Sequence, residues 1–450
     1  MSGELRERLG DLADQAPATA PMPNLWEQGR RYGRRRTLTQ VAVASCCLLL
    51  AVGVGTAWAQ LREPEFPPAR GDEPVYLPDR LYNPSPWLPG TDDEGPLGLL
   101  VAIIDAERRS WISSHSGLVG VSATTGDYRF LDVPGCACDS FDESPLLSPD
   151  GRYVAYPIVG DTSGEPNTVR DKPVTGLAIY DAITGETVRH SVESAHGLAD
   201  IQMAWIDGHL WFNLSHWKHG GADGASGGPI RVWSWDPVAD DVARLAAADN
   251  LDLELDVVGR DQIGTMSDGS SRLRILGDRE DLSHPPFTIK RTTLGGFFAD
   301  PTKKRIATVG GGADETMSDG KPQPILVGTV PLGKKTTTTV AMNRVPRFRT
   351  YRLVGWRDVN HVLAHNGDSP WLMSVDVQTG AAERVTRLPD VNWGTGTQIA
   401  SDMLTAPIAE AKAPPAPWDP RVKLGLSVGA VAAGIWGLVT LLRWRRRGRA

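Results

Sequence analysis

Recognisable catalytic signatures are missing from this chain of 450 residues. There is no G-x-S-x-G nucleophile elbow, no H-E-x-x-H zinc helix, no phosphate-binding P-loop and no G-x-G-x-x-G at a strand–helix junction, which excludes those routes to hydrolysis, metal chemistry and nucleotide binding. Gly367-Asp368-Ser369-Pro370 only grazes a serine-protease pattern, and its proline spoils it. Cysteines number four, so no disulfide-dense scaffold is possible. Lysine is scarce and arginine common, and with abundant Ala and Gly this composition suggests a GC-rich bacterial genome. Positive charge is also unevenly placed. Net charge is −7, residues 1–38 carry +2 and residues 443–450 carry +5, leaving −7 − 2 − 5 = −14 on the remainder. An acidic middle excludes a nucleic-acid-binding domain there, since phosphate recognition needs clustered Lys and Arg.

Two stretches lack charge altogether. Thr39 to Ala59 is one, 21 residues long, and Leu424 to Leu442 is the other, with 19. About 20 helical residues cross the ~30 Å hydrocarbon layer, so both qualify as transmembrane helices, at residues 39–59 and 422–442. Arg30, Arg31, Arg34, Arg35 and Arg36 precede the first; Arg443, Arg445, Arg446, Arg447 and Arg449 follow the second. The positive-inside rule puts both termini in the cytoplasm and the middle of the chain outside, at the cell membrane. Trp58, Trp418 and Trp444 fall at the expected interfaces. The first stretch has competing readings: Ala57-Trp58-Ala59 resembles a signal-peptidase site, and Val43-Ala44-Ser45-Cys46 a loose lipobox. An uncleaved anchor is the reading adopted. Gly425 and Gly429 form a G-x-x-x-G that would permit close helix packing.

Residues 60–96 and 406–421 are proline-rich and read as linkers lifting the central domain off the bilayer, although residues 72–96 fit a wrap around the domain surface equally well. In the cytoplasmic head, Leu5, Leu9 and Leu12 have helical spacing. Residues 4–14 are therefore a candidate for docking a cytoplasmic partner or the membrane, against the reading of a frayed helix.

Helical periodicity is nearly absent between residues 97 and 405, where short alternating runs are broken by Gly, Pro, Asp and Asn, the pattern of an all-β domain. The runs rhyme. Leu147-Ser148-Pro149-Asp150-Gly151-Arg152-Tyr153 is followed by Leu177-Ala178-Ile179-Tyr180-Asp181-Ala182-Ile183-Thr184-Gly185; Trp205-Ile206-Asp207-Gly208 precedes Val232-Trp233-Ser234-Trp235-Asp236; Phe298-Ala299-Asp300-Pro301 leads to Arg305-Ile306-Ala307; Gly355-Trp356-Arg357-Asp358 leads to Val375-Asp376-Val377-Gln378-Thr379-Gly380. Each unit predicts a tight turn between two strands and an Asp-x-x-Thr-Gly hairpin into a last strand. A sheet of this kind buries both faces only by stacking on copies of itself, which predicts a β-propeller of about seven blades, with six or eight also open, at about 40–45 residues per blade. Residues 246–290 keep the rhythm poorly.

Ser148-Pro149-Asp150-Gly151-Arg152 resembles the S-P-D-G-[KR] motif of WD40-like (PD40, TolB-type) bacterial propeller repeats, with Trp356-Arg357-Asp358 and Ala299-Asp300-Pro301 as degenerate copies. The whole chain resembles the membrane-anchored WD40-repeat proteins of bacteria. Propellers offer rigid surfaces and no catalytic set is visible, so the expected function is a non-enzymatic binding or scaffold module for an extracytoplasmic protein or glycan. The alternative is a propeller hydrolase with paired carboxylates in its central channel.

Few residues stand out chemically. Cys136 and Cys138 face an oxidising exterior and are expected to pair with each other; free or intermolecularly paired thiols, or a metal or redox role, are the other readings. Cys46 and Cys47 are apolar packers in the first span. His216/His219 and His361/His365 have chelating spacing only in a helix, so no metal and no cofactor is expected. His216, Trp217, Lys218 and His219 stand at the entrance of the Gly-rich loop 218–229, between runs that hold Trp205, Trp211, Trp233 and Trp235. These four residues are the candidate ligand site, with aromatic faces suited to sugars or peptides and imidazoles that titrate near pH ~6.5. The opposing reading has the Trp rings filling gaps between blades and the loop as a tolerated insertion.

Overall fold

A computed structural model describes residues 74–138, 145–169, 172–227, 231–245, 297–302, 304–310, 321–330, 338–367, 369–389 and 396–417, with shorter pieces at 262–267, 270–275, 287–289 and between 419 and 437. The expected first span and the amphipathic segment around Leu5 lie outside the described residues. Of the expected second span, the described residues are helical, and Val422, Leu426 and Trp436 are exposed. A Cβ added at Gly425 or Gly429 would meet nothing within 4 Å. Among the described residues, no helix is long and apolar enough to cross a membrane.

The domain is all-β. Its strands fall into successive four-stranded antiparallel meanders in chain order, because each alternating run is cut by a turn that folds it back on its predecessor. The first sheet holds Leu100–Arg109, Ser114–Ser122 and Tyr128–Phe130. Its remaining strand, Thr397–Ile399, comes from the far end of the domain and pairs antiparallel with Leu100–Arg109. The second runs Leu146–Leu147, Tyr153–Val159, Val174–Asp181, Thr187–Ser191, and the third Leu198–Ile206, His209–Trp217, Val232–Asp236, Asp241–Arg244. One pairing, Val174 opposite Leu198, joins the third strand of the second sheet to the first strand of the third. Gln262–Ser267, Ser270–Ile275 and Phe287–Ile289, with Thr339–Val340 added in parallel, make a fourth sheet from the stretch where the rhythm fades. The fifth spans Phe298 to Thr350 and the sixth Arg352 to Arg387. The described residues thus form six such units, within the six to eight expected from length.

Neighbouring sheets share cores. One cluster joins Ile104, Val119 and Phe130 of the first sheet to Val154 and Tyr180 of the second and to Leu363 and Leu372 of the sixth, so the last unit packs on the first. A second cluster joins the second and third sheets through Leu177, Trp205, Phe212 and Trp235. A third joins the fifth and sixth through Phe298, Val345 and Trp356.

The proline-rich stretches differ from free spacers over the residues described. Leu77, Leu81 and Leu88, set between the prolines, are buried in the first cluster. Leu77–Pro78 pairs in parallel with Ile408–Ala409, and the Ala411 amide donates to the Asp79 carboxylate at 2.9 Å. Proline removes a donor but not the apolar side chains around it, and those leucines bring the chain down onto the first sheet.

Candidate functional site

The repeated motifs are consumed in turns. At the end of Leu146–Leu147, the Ser148 hydroxyl donates to Asp150 Oδ1 at 2.6 Å, and the same oxygen accepts the Arg152 amide at 3.0 Å. Arg152 donates from Nε and Nη2 to Asp181 Oδ2 at 3.1 and 2.8 Å, tying the first turn of the sheet to its third-to-fourth-strand turn. There Asp181 Oδ1 accepts the Ile183 amide at 2.8 Å. Asp376 does the same for Gln378 and Thr379, Asp236 for Val238 and Ala239, and the Ser122 hydroxyl for Thr124 and Thr125. The residue after each is left-handed: Gly185, Gly380, Asp240 and Gly126. An Asx-type turn followed by a left-handed residue suits a tight hairpin, so these side chains do local structural work.

The Trp-rich stretch divides. Trp205, Trp211 and Trp235 are essentially fully buried and belong to the core, which removes them from any ligand platform. Trp217 and Trp233 are half-buried. His216 and Trp217 close the second strand of the third sheet and pair with Gly227 and Ser226, so the strand pairing continues across the loop. The loop is docked rather than free. Asn167, from the excursion after Tyr153–Val159 in the second sheet, is 2% exposed, and its side-chain amide donates to the backbone oxygens of His219 and Asp223 at 3.1 and 2.6 Å. The Thr168 amide donates to the Gly221 oxygen and the Gly221 amide to the Pro166 oxygen, at 2.8 and 3.1 Å. Polar backbone that glycines leave bare needs such partners. Lys218 and His219 are exposed on this paired-loop surface, while His216 Nδ1 lies 3.3 Å from the Ser194 hydroxyl. Asn167 is the residue that sequence reasoning missed. It lies about 50 residues away in the chain and carries no local pattern.

Cys136 and Cys138 are joined by a disulfide, with Cα atoms 5.1 Å apart, in a turn whose Cys136 bridges to Ile158. The two histidines of the sixth sheet part company. His361 Nδ1 sits 2.9 Å from the Asp358 carboxylate, whereas His365 is buried with Nε2 2.9 Å from the Ser369 carbonyl oxygen. Burial holds the His365 imidazole below its ordinary range.

Carboxylates meet at one edge of the first sheet. Asp132 Oδ1 accepts from Arg108 at 2.6 Å, and Oδ2 accepts the Asp92 amide at 2.9 Å and the Thr91 hydroxyl at 3.3 Å. Hydrogen bonding to Asp132, then burial, pushes the Asp92 carboxyl up to about 6. Burial works to raise Asp132 as well, but its bonds with Asp92 and Arg108 win and hold it below the ordinary range. The two carboxyls are thus pushed apart, Asp92 upward and Asp132 downward, as a coupled pair is. The pair lies beyond the fourth strand, where Gly90 bridges to Phe130.

Asp105, half-buried in Leu100–Arg109, is pushed up to about 6 by burial. A folded-state value above the unfolded one means that stability falls as pH rises from about 4 to about 6 and stays low beyond. The two-unit shift corresponds to ~3 kcal/mol, which solvent screening of a half-buried group trims to ~1–2 kcal/mol. Asp105→Asn is expected to raise the thermal midpoint at pH 7.5, leave it near wild type at pH 4, and flatten the dependence between. Equal midpoints at both pH values would show that the carboxylate is solvated.

No family model matches the chain, and no curated protein matches it. Solved structures do align with it. An uncharacterised protein of Listeria monocytogenes is 11% identical over 76% of this chain and 98% of its own, with a TM-score of 0.36. A putative 6-phosphogluconolactonase of Bacteroides fragilis is 10% identical over 64% and 96%, at 0.30. A chain of a nidogen–laminin complex is 8% identical over 67% and 98%, at 0.33. At these scores the likenesses carry no argument about what this chain does.

Proposed function

We propose that the chain is a two-span membrane protein whose extracytoplasmic β-propeller is a binding or scaffold module for a protein or glycan partner. The six sheets are its blades, and Thr397–Ile399 closes the ring by completing the first blade. The exposed apolar helical residues Val422, Leu426 and Trp436 suit a bilayer rather than water. The observation that carries the binding reading is Asn167. A buried side chain that pins the loop of one sheet to the excursion of the preceding one holds Trp217, Lys218 and His219 in place before any partner arrives, which lowers the ordering cost of binding. The carboxylate pair Asp92–Asp132 lies at a sheet edge, which favours this reading over the hydrolase with channel carboxylates.

The test is a photo-crosslinking residue placed at position 218, and separately at exposed position 238, in the full-length protein in cells. A discrete adduct at 218, absent at 238 and lost in an Asn167→Ala background, is the expected result. The absence of any adduct at 218, or its persistence after Asn167→Ala, would overturn the assignment of this surface.

A further inference from the structure

The hairpin of Leu100–Arg109 with Ser114–Ser122, the longest among the described residues, ends in the turn Ser110-Trp111-Ile112-Ser113. This turn is built, not loose. The Ser110 amide donates to the Ser113 oxygen at 2.8 Å, and the two serine hydroxyls lie 2.9 Å apart. Between them the chain puts out its two apolar side chains, Trp111 at 54% exposure and Ile112 at 95%. Small polar residues close such turns without exposing apolar surface, so an aromatic and a β-branched residue at the tip call for an apolar surrounding from outside the domain.

What that surrounding is follows from the neighbours of the turn. Arg421 donates from Nη2 to the Ser110 oxygen at 2.9 Å, and its guanidinium lies over the Trp87 ring, 5.7 Å from the centroid. The Arg109 amide donates to the Pro86 oxygen at 3.0 Å, which fixes Trp87 beside the same turn. Arg421 stands three residues before Leu424, where the uncharged run begins. Three residues span about 4.5 Å as helix and about 10 Å when extended. The headgroup layer on one side of a bilayer is about 5–7 Å thick. The tip is therefore held at the depth where the second span enters the membrane. An indole with its N–H facing water and its ring facing lipid is favoured at that depth.

We propose that Trp111 and Ile112 form a third membrane contact, inserted into the headgroup layer of the leaflet that the second span enters, which fixes the orientation of the propeller on the bilayer. This rests on the membrane-anchored reading above. Beside the tip, Arg109 pairs with Glu107 at 3.1 Å, so its charge is internally balanced and the contact is apolar in character.

The test uses full-length protein carrying Cys46→Ser and Cys47→Ser, reconstituted in phosphatidylcholine–phosphatidylglycerol vesicles. A polarity-sensitive fluorophore is attached at Ile112→Cys, at Leu426→Cys, or at Val238→Cys, an exposed position on the third sheet. Nitroxide is carried on the lipid headgroup or midway along the acyl chain. The label at 112 is expected to emit to the blue of that at 238 and to lose most of its intensity to the headgroup nitroxide, while the label at 426 is quenched by the chain nitroxide. Quenching at 426 with position 112 behaving like 238 would overturn the proposal and leave the anchor standing. No quenching at either position would overturn the anchor reading and this proposal with it.

Discussion

Gly380→Ala is expected to unfold the domain under conditions where Gly185→Ala leaves it folded. Both glycines end an Asp-x-x-Thr-Gly turn, and both are left-handed, with φ of +72° and +78°. An alanine in that conformation costs roughly 1–2 kcal/mol. At Gly185 nothing further opposes it, since an added Cβ meets only the Pro96 side chain at 3.8 Å. At Gly380 the Cβ would be driven into the Pro346 carbonyl oxygen, which is backbone of the fifth sheet and unable to rotate away. Relief requires the fifth and sixth sheets to part, breaking the core around Val345, Trp356 and Val375. The combined loss is expected to reach ~4 kcal/mol or more, against a typical total of ~5–15 kcal/mol. Urea unfolding of the two variants, followed by circular dichroism, measures the difference. Equal midpoints would show that the turn at Asp376 does not lie against Pro346.

A loss of similar size is expected for Trp205→Ala. The indole is 1% exposed and stacks on Tyr153 with centroids 5.8 Å apart. Its Nε1 donates to the Leu146 oxygen at 3.2 Å, crossing from the third sheet to the second. Truncation removes the buried ring and opens a cavity, ~3–5 kcal/mol, and leaves the Leu146 carbonyl without that donor. Trp205→Phe keeps most of the volume and loses the hydrogen bond, for a smaller cost of ~1–2 kcal/mol. Trp356 repeats the arrangement, donating to the Phe298 oxygen at 2.8 Å from the sixth sheet to the fifth. Trp356→Phe should therefore cost about as much as Trp205→Phe. Chemical denaturation of the three variants tests the set. A Trp205→Ala protein within 1 kcal/mol of wild type would contradict its place between the sheets.

These two tryptophans show how far the chain could be read directly. Trp205-Ile206-Asp207 and Trp356-Arg357-Asp358 stood out as rhyming strand ends, and both occupy the end of the first strand of a sheet. Their shared role, an indole reaching the preceding sheet, was invisible because its acceptors, Leu146 and Phe298, are backbone oxygens, and any residue would present one. The candidate site was legible in part for a related reason. His216, Trp217, Lys218 and His219 attract notice through their type, but whether a Gly-rich loop is loose or docked depends on Asn167, one asparagine in another sheet's excursion. Likewise the prolines of residues 60–96 announced a stiff segment, while Leu77 and Leu81 brought its described part onto the domain.

The sequence by itself determined what depends on local chemistry. Period-two alternation made the strands, Asp and Ser followed by a left-handed glycine made the turns, and two uncharged runs flanked by arginine marked the candidate spans. Those signals act within a few residues of the chain, where covalent geometry alone restricts the outcome. Tertiary structure decided everything that needed two distant segments to meet. Thr397–Ile399 completes the sheet begun at Leu100, Arg421 reaches the turn that exposes Trp111 and Ile112, and the Asp92 amide reaches the Asp132 carboxylate. None of these has a spacing to read, because burial and hydrogen bonding reward a contact only once the whole chain has brought its partners together, whatever their separation in sequence.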